Sequence, residues 1–173
     1  MTILAFDQST TKSGFCLMEN DVPKRYGHID HSDIKNNVPY RIKTMFFDLA
    51  NMVKQYRPDV LVVEAQQDQG NSKALMMLCQ LQGMIISVGW LSDIAVYSPM
   101  PVEWRSSLHF RQGRGVKREE LKQQALDFVQ AHYGINDGDE DAAEAICIAT
   151  AINLNLKKSR LQSPAFSYEV KGE

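Results

Sequence analysis

The sequence is short of several things, and each shortage removes a class of protein. Three cysteines stand among 173 residues, Cys16, Cys79 and Cys147, far apart in the chain. A zinc site would need closer spacing and more partners. Each has apolar neighbours, so the three read as buried, reduced thiols of a cytoplasmic protein. No apolar run reaches the roughly 18 residues that span a bilayer. The first residues, Met1 to Asp7, carry no basic stretch, which speaks against a signal peptide. There is no internal repeat and no linker. Excess charge of one sign is also missing, since the formal net charge is −2.

What is present is ordinary in amount. Hydrophobic residues make up 44% and charged residues 23%, the balance of a soluble chain. The length suits one domain able to bury a core without staples. The charge is ordered along the chain, and that carries more information than its sum. Arg105, Arg111, Arg114, Lys117 and Arg118 form a basic strip without an acid. Asp137, Asp139, Glu140, Asp141 and Glu144 form an acidic knot without a base. Two solvated loops would produce this pattern, and so would a protein that holds phosphates and metal.

Residues 2–7 and 14–18 read as strands, and 25–30 as a weaker third, joined by short polar turns with Asn20-Asp21 in one of them. The period then changes. Ile42, Met45, Phe46, Leu49, Met52, Val53 and Tyr56 recur at helical spacing, with Pro39 in the first turn and Pro58 after the end. Val60 to Val63 is a continuous apolar run, as in a strand buried on both faces. Ser72 is a candidate cap for a helix from Lys73 to about Ser87. Residues 94–97 make a short strand. Helices follow from Arg118 to His132, stopped by Gly134, and from about Glu140 to Asn155. Residues 1–156 read as one domain and 157–173 as a polar tail. The order β-β-β-α-β-α-β-α-α predicts a mixed sheet with helices on both faces.

Four acids stand out within that order. Asp7 closes the first strand and Glu64 closes the buried one, so neighbouring strand ends would aim both at one spot. Asp141 and Glu144 are three residues apart on one helix and share a face. Ala142, Ala143 and Ala145 are small enough to let that helix approach the sheet. Four converging carboxylates repel, and hard divalent cations such as Mg²⁺ are the natural compensation. Singly, each acid has a blander explanation: a turn cap, a lysine partner or a helix N-terminal acid.

These residues also carry a resemblance. Phe6 to Phe15, Val62-Val63-Glu64, the Gly70–Met84 stretch and Asp141-Ala-Ala-Glu144 through Ala149 together resemble the RuvC family of Holliday junction resolvases. The resemblance runs from residue 2 to about 152. It implies an α/β, ribonuclease H-like fold, with a five-stranded mixed sheet flanked by helices. It implies a homodimeric endonuclease, dependent on Mg²⁺ with Mn²⁺ as substitute, that nicks four-way DNA junctions symmetrically. Asp7, Glu64 and Asp141 match the family's acids, and Glu144 stands where aspartate is common. Lys117 matches a lysine near the scissile phosphate, and Arg105 a second basic position. The aromatic wedge that the family places after its second acid is replaced here by Gln66, Gln67, Asp68 and Gln69.

Two ions about 4 Å apart would activate water and stabilise the leaving oxygen. Lys117 would neutralise charge building on the phosphate. Arg105, Arg111, Arg114, Lys117, Arg118, Gln66, Gln67 and Gln69 are the candidate DNA contacts. Without the wedge, recognition of branch shape with weak sequence preference is expected.

Alternatives share the fold. A related nuclease could act on forks, flaps or RNA. Asp7-Gln8-Ser9-Thr10-Thr11 also resembles the first phosphate loop of the actin and sugar-kinase superfamily. A phosphotransferase or ATPase of that kind needs two such domains and a Gly-rich second loop, which the chain does not have. Other features weigh less. His28 and His31 at i, i+3 on a strand would face opposite sides. Trp104 and Phe110 suit core packing better than base stacking. The helix beginning at Lys73 has more apolar surface than one buried stripe needs, which predicts dimerisation through Leu75–Ile86.

Overall fold

The computed structural model describes residues 1–68 and 70–158. Ten elements follow in order: β1 (Thr2–Asp7), β2 (Lys12–Glu19), β3 (Val22–Asp30), α1 (Val38–Tyr56), β4 (Val60–Val63), α2 (Ser72–Leu91), β5 (Ala95–Tyr97), α3 (Pro101–Ser107), α4 (Arg118–Tyr133) and α5 (Glu140–Lys158). The five strands form one sheet in the order β3-β2-β1-β4-β5. β1 to β3 are antiparallel, and β4 and β5 run parallel to β1. This is the expected mixed sheet.

Alternation along the strands divides the core between two faces. Leu4, Phe6, Leu17, Leu61 and Val63 point to one, where α1 and α2 cover them. Ile3, Ala5, Cys16, Met18, Val60 and Val62 point to the other, with residues of α3, α4 and α5. β1 and β4 lie in mid-sheet, so both must be apolar on both faces, as their sequences are. β3 is an edge strand, and Pro23 is tolerated there because, among the described residues, one side of its backbone has no partner strand. Asn20 and Asp21, with φ of 47° and 72°, make the tight β2–β3 turn.

Three local expectations change. Asn71, not Ser72, caps α2 by accepting the Ala74 N–H at 3.1 Å, and the helix runs on to Leu91. Pro101–Ser107 folds as α3, so the basic strip is divided between Arg105 on α3, a loop, and Arg118 at the start of α4. Cys16 and Cys147 are buried as expected, but Cys79 is exposed on α2.

α2 also has the length and composition to cross a membrane, with mean hydropathy 1.6, although Gln80, Gln82 and Ser87 interrupt any continuous apolar run. Here Leu81, Ile85 and Ile86 pack into the core, so only part of the Leu75–Ile86 stretch faces outward. The outer side carries Met76, Cys79, Gln80, Gly83 and Trp90. α5 continues to Lys158, just past the sequence-based boundary at 156, and the rest of the 157–173 tail lies outside the described residues.

Candidate active site

The site is assembled by strand register and one close helix contact. Phe6 pairs with Val63 across the parallel β1 and β4, so Asp7 and Glu64, one residue further on, end side by side. The Glu64 N–H donates to the Phe6 carbonyl at 3.2 Å and holds the two chain ends together. On the other flank Asp7 pairs with Gly14 of β2. Gly14 is where α5 meets the sheet: a methyl group there would lie 2.0 Å from the Asp141 carbonyl oxygen. Only glycine permits that approach, and it brings Asp141 beside Asp7. Ala142, Ala143 and Ala145 are buried along the same helix. The loop between β1 and β2 is braced by Arg41, which donates to the Thr10 carbonyl at 2.8 Å and the Ile34 carbonyl at 2.9 Å.

All four predicted acids line one cleft of about 890 Å³. Burial drives the Asp7 carboxyl well above the usual carboxylate range, and Glu64, Glu144 and Asp141 push it further. Burial also raises Glu64, against the Trp104 indole N–H, which donates to Glu64 Oε1 at 2.6 Å. Glu144 is raised by burial in spite of Arg105, whose Nη2 lies 3.2 Å from its Oε1. Arg105 is itself stacked on Trp104, 4.6 Å from the ring centroid. Asp141 is engaged by Lys12 Nζ at 2.7 Å, with Lys122 4.0 Å from its other oxygen.

No three His, Cys, Asp or Glu side chains among the described residues are arranged to hold a metal ion as they stand. The donor set nevertheless fits one. It is all oxygen, as Mg²⁺ requires, and its mutual repulsion calls for positive charge. A further oxygen, Gln8 Oε1, is buried in the same cleft without a hydrogen-bond partner among the described residues, while its amide nitrogen donates to the Glu64 carbonyl at 2.6 Å. The buried Arg105 Nε likewise has no acceptor among the described residues.

The structure sorts the candidate DNA contacts. Arg105, Arg118, Gln66 and Gln67 line the cleft. Arg111, Arg114 and Lys117 are exposed on or beside the loop after α3, outside the cleft lining, with Lys117 at the N-cap of α4. Gln124 pins that loop by accepting the Arg111 N–H at 2.7 Å and donating to its carbonyl at 2.9 Å. Gln69 lies outside the described residues. Trp104 is buried, as the core reading expected, yet its N–H holds an active-site acid.

His28 and His31 form no common site. His28 meets Asp139, the residue before α5, at 2.6 Å, and His31 meets Asp48 at 2.8 Å. Burial pushes Asp139 up, but the His28 contact and the Ala142 N–H hold it below the usual range. Sequence reasoning missed Gln8, Lys12 and Lys122. Lys122 had a signal, since it follows Arg118 by one helical turn on α4. Lys12, isolated at the head of β2, had none.

Comparison with known proteins agrees with this geometry. The family model described as crossover junction endodeoxyribonuclease RuvC matches residues 3–152. A protein of that name from Trichlorobacter lovleyi is 26% identical over 168 residues, covering 94% of this chain and 90% of the relative. One from Geobacter sulfurreducens is 26% identical over 170 residues, covering 94% and 99%.

Among solved structures, T. thermophilus RuvC in complex with Holliday junction substrate superposes with a TM-score of 0.74 at 14% identity, covering 94% of this chain and 99% of that one. The yeast mitochondrial Holliday junction resolvase superposes with a TM-score of 0.58 at 14% identity, covering 91% and 81%. These structures share the fold. With the family model matched over nearly the whole length, the chain belongs to the crossover junction endodeoxyribonuclease RuvC family.

Proposed function

We propose that this protein is a structure-selective DNA endonuclease that resolves Holliday junctions and related branched DNA by metal-assisted phosphodiester hydrolysis. The observation that carries the reading is the meeting of Asp7, Glu64, Asp141 and Glu144 in one cleft, beside Arg105, Arg118 and Lys122. Nucleases of this family are metal-dependent. Mg²⁺, with Mn²⁺ as substitute, is the metal proposed, held by those four acids. When bound, it supplies Lewis-acid stabilisation of the phosphate and lowers the pKa of water. The chain's own part is to hold the carboxylates: Trp104 orients Glu64, and Gly14 seats Asp141. Arg105 and Arg118 supply positive charge for the phosphate inside the cleft. Gln66, Gln67 and Gln69 are proposed as contacts beside the crossover. Arg111 and Arg114 are proposed to track phosphates outside it, and Lys117 to reach the cut phosphate when the loop closes on DNA.

Residues 1–156 are assigned to the nuclease domain and 157–173 to a tail. The cytoplasm is the compartment proposed, in keeping with free, buried thiols at Cys16 and Cys147.

A mobile four-way junction, end-labelled on each strand in turn, tests the reading. With Mg²⁺, paired nicks on opposite strands at many sequences are expected, and none with EDTA. Equal cutting of linear duplex, or cutting in EDTA, overturns it. Cuts confined to one short consensus would instead overturn the weak sequence preference.

The homodimer is proposed to form through the outer side of α2. Gly83 opens that surface: among the described residues nothing beyond its own helix backbone lies within 4 Å of where a side chain would begin, so a partner helix can approach closely. Met76, 66% exposed, supplies apolar contact. Light scattering should give a dimer for the wild type and a monomer for Gly83→Trp or Met76→Glu. A monomeric wild type that still cuts junctions would remove the dimer from the reading.

A further inference from the structure

Lys12 and Asp141 form an ion pair at 2.7 Å, between the first residue of β2 and the first turn of α5. One explanation is a clamp that fastens the helix to the sheet. The backbone makes that clamp redundant. α5 already rests on β2 at Gly14, in contact so close that a methyl group cannot enter, and the buried alanines continue the contact. The position of Asp141 is therefore set without Lys12.

The two side chains are also unequal. That of Asp141 is 19% exposed and that of Lys12 38%. Lys12 lines the cleft on a flexible stem that carries a compact charge, a cation suited to changing partners. Arg105 is different, because its guanidinium is stacked on Trp104 and stays in place. If Asp141 is a metal ligand, as the proposed function holds, its carboxylate cannot serve an ammonium and a metal ion equally. One of them must yield.

We propose that Lys12 is an exchangeable counter-charge: it holds Asp141 in the metal-free protein, is displaced when the metal enters, and then binds a phosphate of the DNA strand lying in the cleft. This rests on the proposed metal site. It makes metal and DNA binding help each other through one side chain, and by linkage the coupling is reciprocal. In metal-free protein Lys12 is occupied and contributes nothing to DNA affinity. With metal bound, it adds one phosphate contact.

The test uses the full chain, with Lys12→Met, Asp7→Asn and a remote control, Lys43→Met on α1. Titration calorimetry with Mn²⁺ alone should show Lys12→Met binding the ion roughly three- to fivefold tighter than wild type, the scale of a partly exposed ion pair. Lys43→Met should match wild type. Anisotropy with a labelled junction should show equal affinity of wild type and Lys12→Met in EDTA. In Ca²⁺ the variant should bind more weakly, with a salt slope shallower by about one.

Unchanged Mn²⁺ affinity in Lys12→Met, with affinity lost in Asp7→Asn, overturns the exchange and leaves the metal site standing. Full Mn²⁺ affinity in Asp7→Asn removes the metal-site reading, and the exchange with it. A large fall in the Tm of Lys12→Met in EDTA makes Lys12 a fastener and also overturns the exchange.

Discussion

The strand-borne acids and the helix-borne acids meet in one cleft under different electrostatic conditions. Asp7 and Glu64 lie at the ends of strands buried on both faces, and among the described residues neither forms an ion pair with a lysine or arginine. Glu64 takes the neutral Trp104 N–H at 2.6 Å, a hydrogen bond with the Asp7 carboxyl and the more distant charge of Arg105, and Asp7 is forced far up by burial and by three neighbouring acids. Asp141 and Glu144 are borne on α5 and each has a cation, Lys12 or Arg105. The strand half creates the demand for positive charge. The helix half has a provisional answer to it. A metal ion would answer both, and the difference teaches where its binding energy comes from: relief of Asp7 and Glu64, opposed by loss of the Lys12 pair.

The largest effect should come from setting one half against the other. Asp7→Asn should lower cleavage by on the order of 10³-fold or more, the scale of losing a principal electrostatic element of a site. It should leave junction binding largely intact, and it should raise the Tm in EDTA because a disfavoured buried charge is gone. Glu144→Ala should also lose most activity but bring no such gain, because it strips Arg105 of its carboxylate. Glu144→Asp should keep measurable activity. Cleavage assays and thermal melts of the three variants check this. A lowered Tm in Asp7→Asn, or full activity in Glu144→Ala, would break the comparison.

The same contrast has a pH signature. Asp7, Glu64 and Glu144 all have folded-state pKa values raised above the ordinary 3.8 or 4.5. Raised acids contribute stability below their unfolded pKa values, and that contribution is lost as pH rises through the folded ones. The metal-free protein should therefore lose stability upward from the ordinary carboxylate range. Saturating Mg²⁺ should oppose that loss, because the bound ion stabilises the charged acids. Melts across about pH 4 to 8, with EDTA or Mg²⁺, should diverge towards the alkaline end. Superimposable profiles would show that the acids do not share a metal.

The smallest effect concerns the cations of the cleft and those of the loop. Lys117→Ala should lower the cleavage rate about tenfold with little change in affinity, a modest loss of transition-state charge stabilisation. Charge removal at Arg111 or Arg114 should weaken binding and flatten its salt dependence. Reduced binding by Lys117→Ala at an unchanged rate would make Lys117 an ordinary phosphate contact, and would leave Lys12, Arg105, Arg118 and Lys122 as the cleft's own cations.

Much of this was legible in the chain. The short strands and their polar turns, the apolar run from Val60 to Val63, the helical stripe from Ile42 to Tyr56 and the glycine after α4 each encode a local geometry that the structure keeps. The four acids were legible because strand ends and an i, i+3 spacing state direction. α3 was less so: seven residues from Pro101 to Ser107 are too few to show a period. α2 was legible as a helix but not in its two faces, because apolar residues surround it and only packing distinguishes Leu81 inside from Met76 outside.

The sequence by itself marked the four acids and placed Arg105 and Arg118 beside them as candidates, since the family's motifs and the local periods are both properties of the chain read in order, but it did not mark Gln8, Lys12 or Lys122. The tertiary structure alone decided how those groups are charged and held. Lys12 meets Asp141, and Trp104 meets Glu64, across long stretches of chain that no local pattern connects. The reason is physical. Backbone periodicity points a side chain to a face, but its electrostatic partner depends on which element packs there. For Lys12 and Asp141 that was settled by Gly14, which lets α5 rest on β2, and for Glu64 by α3, which brings Trp104 to the end of β4.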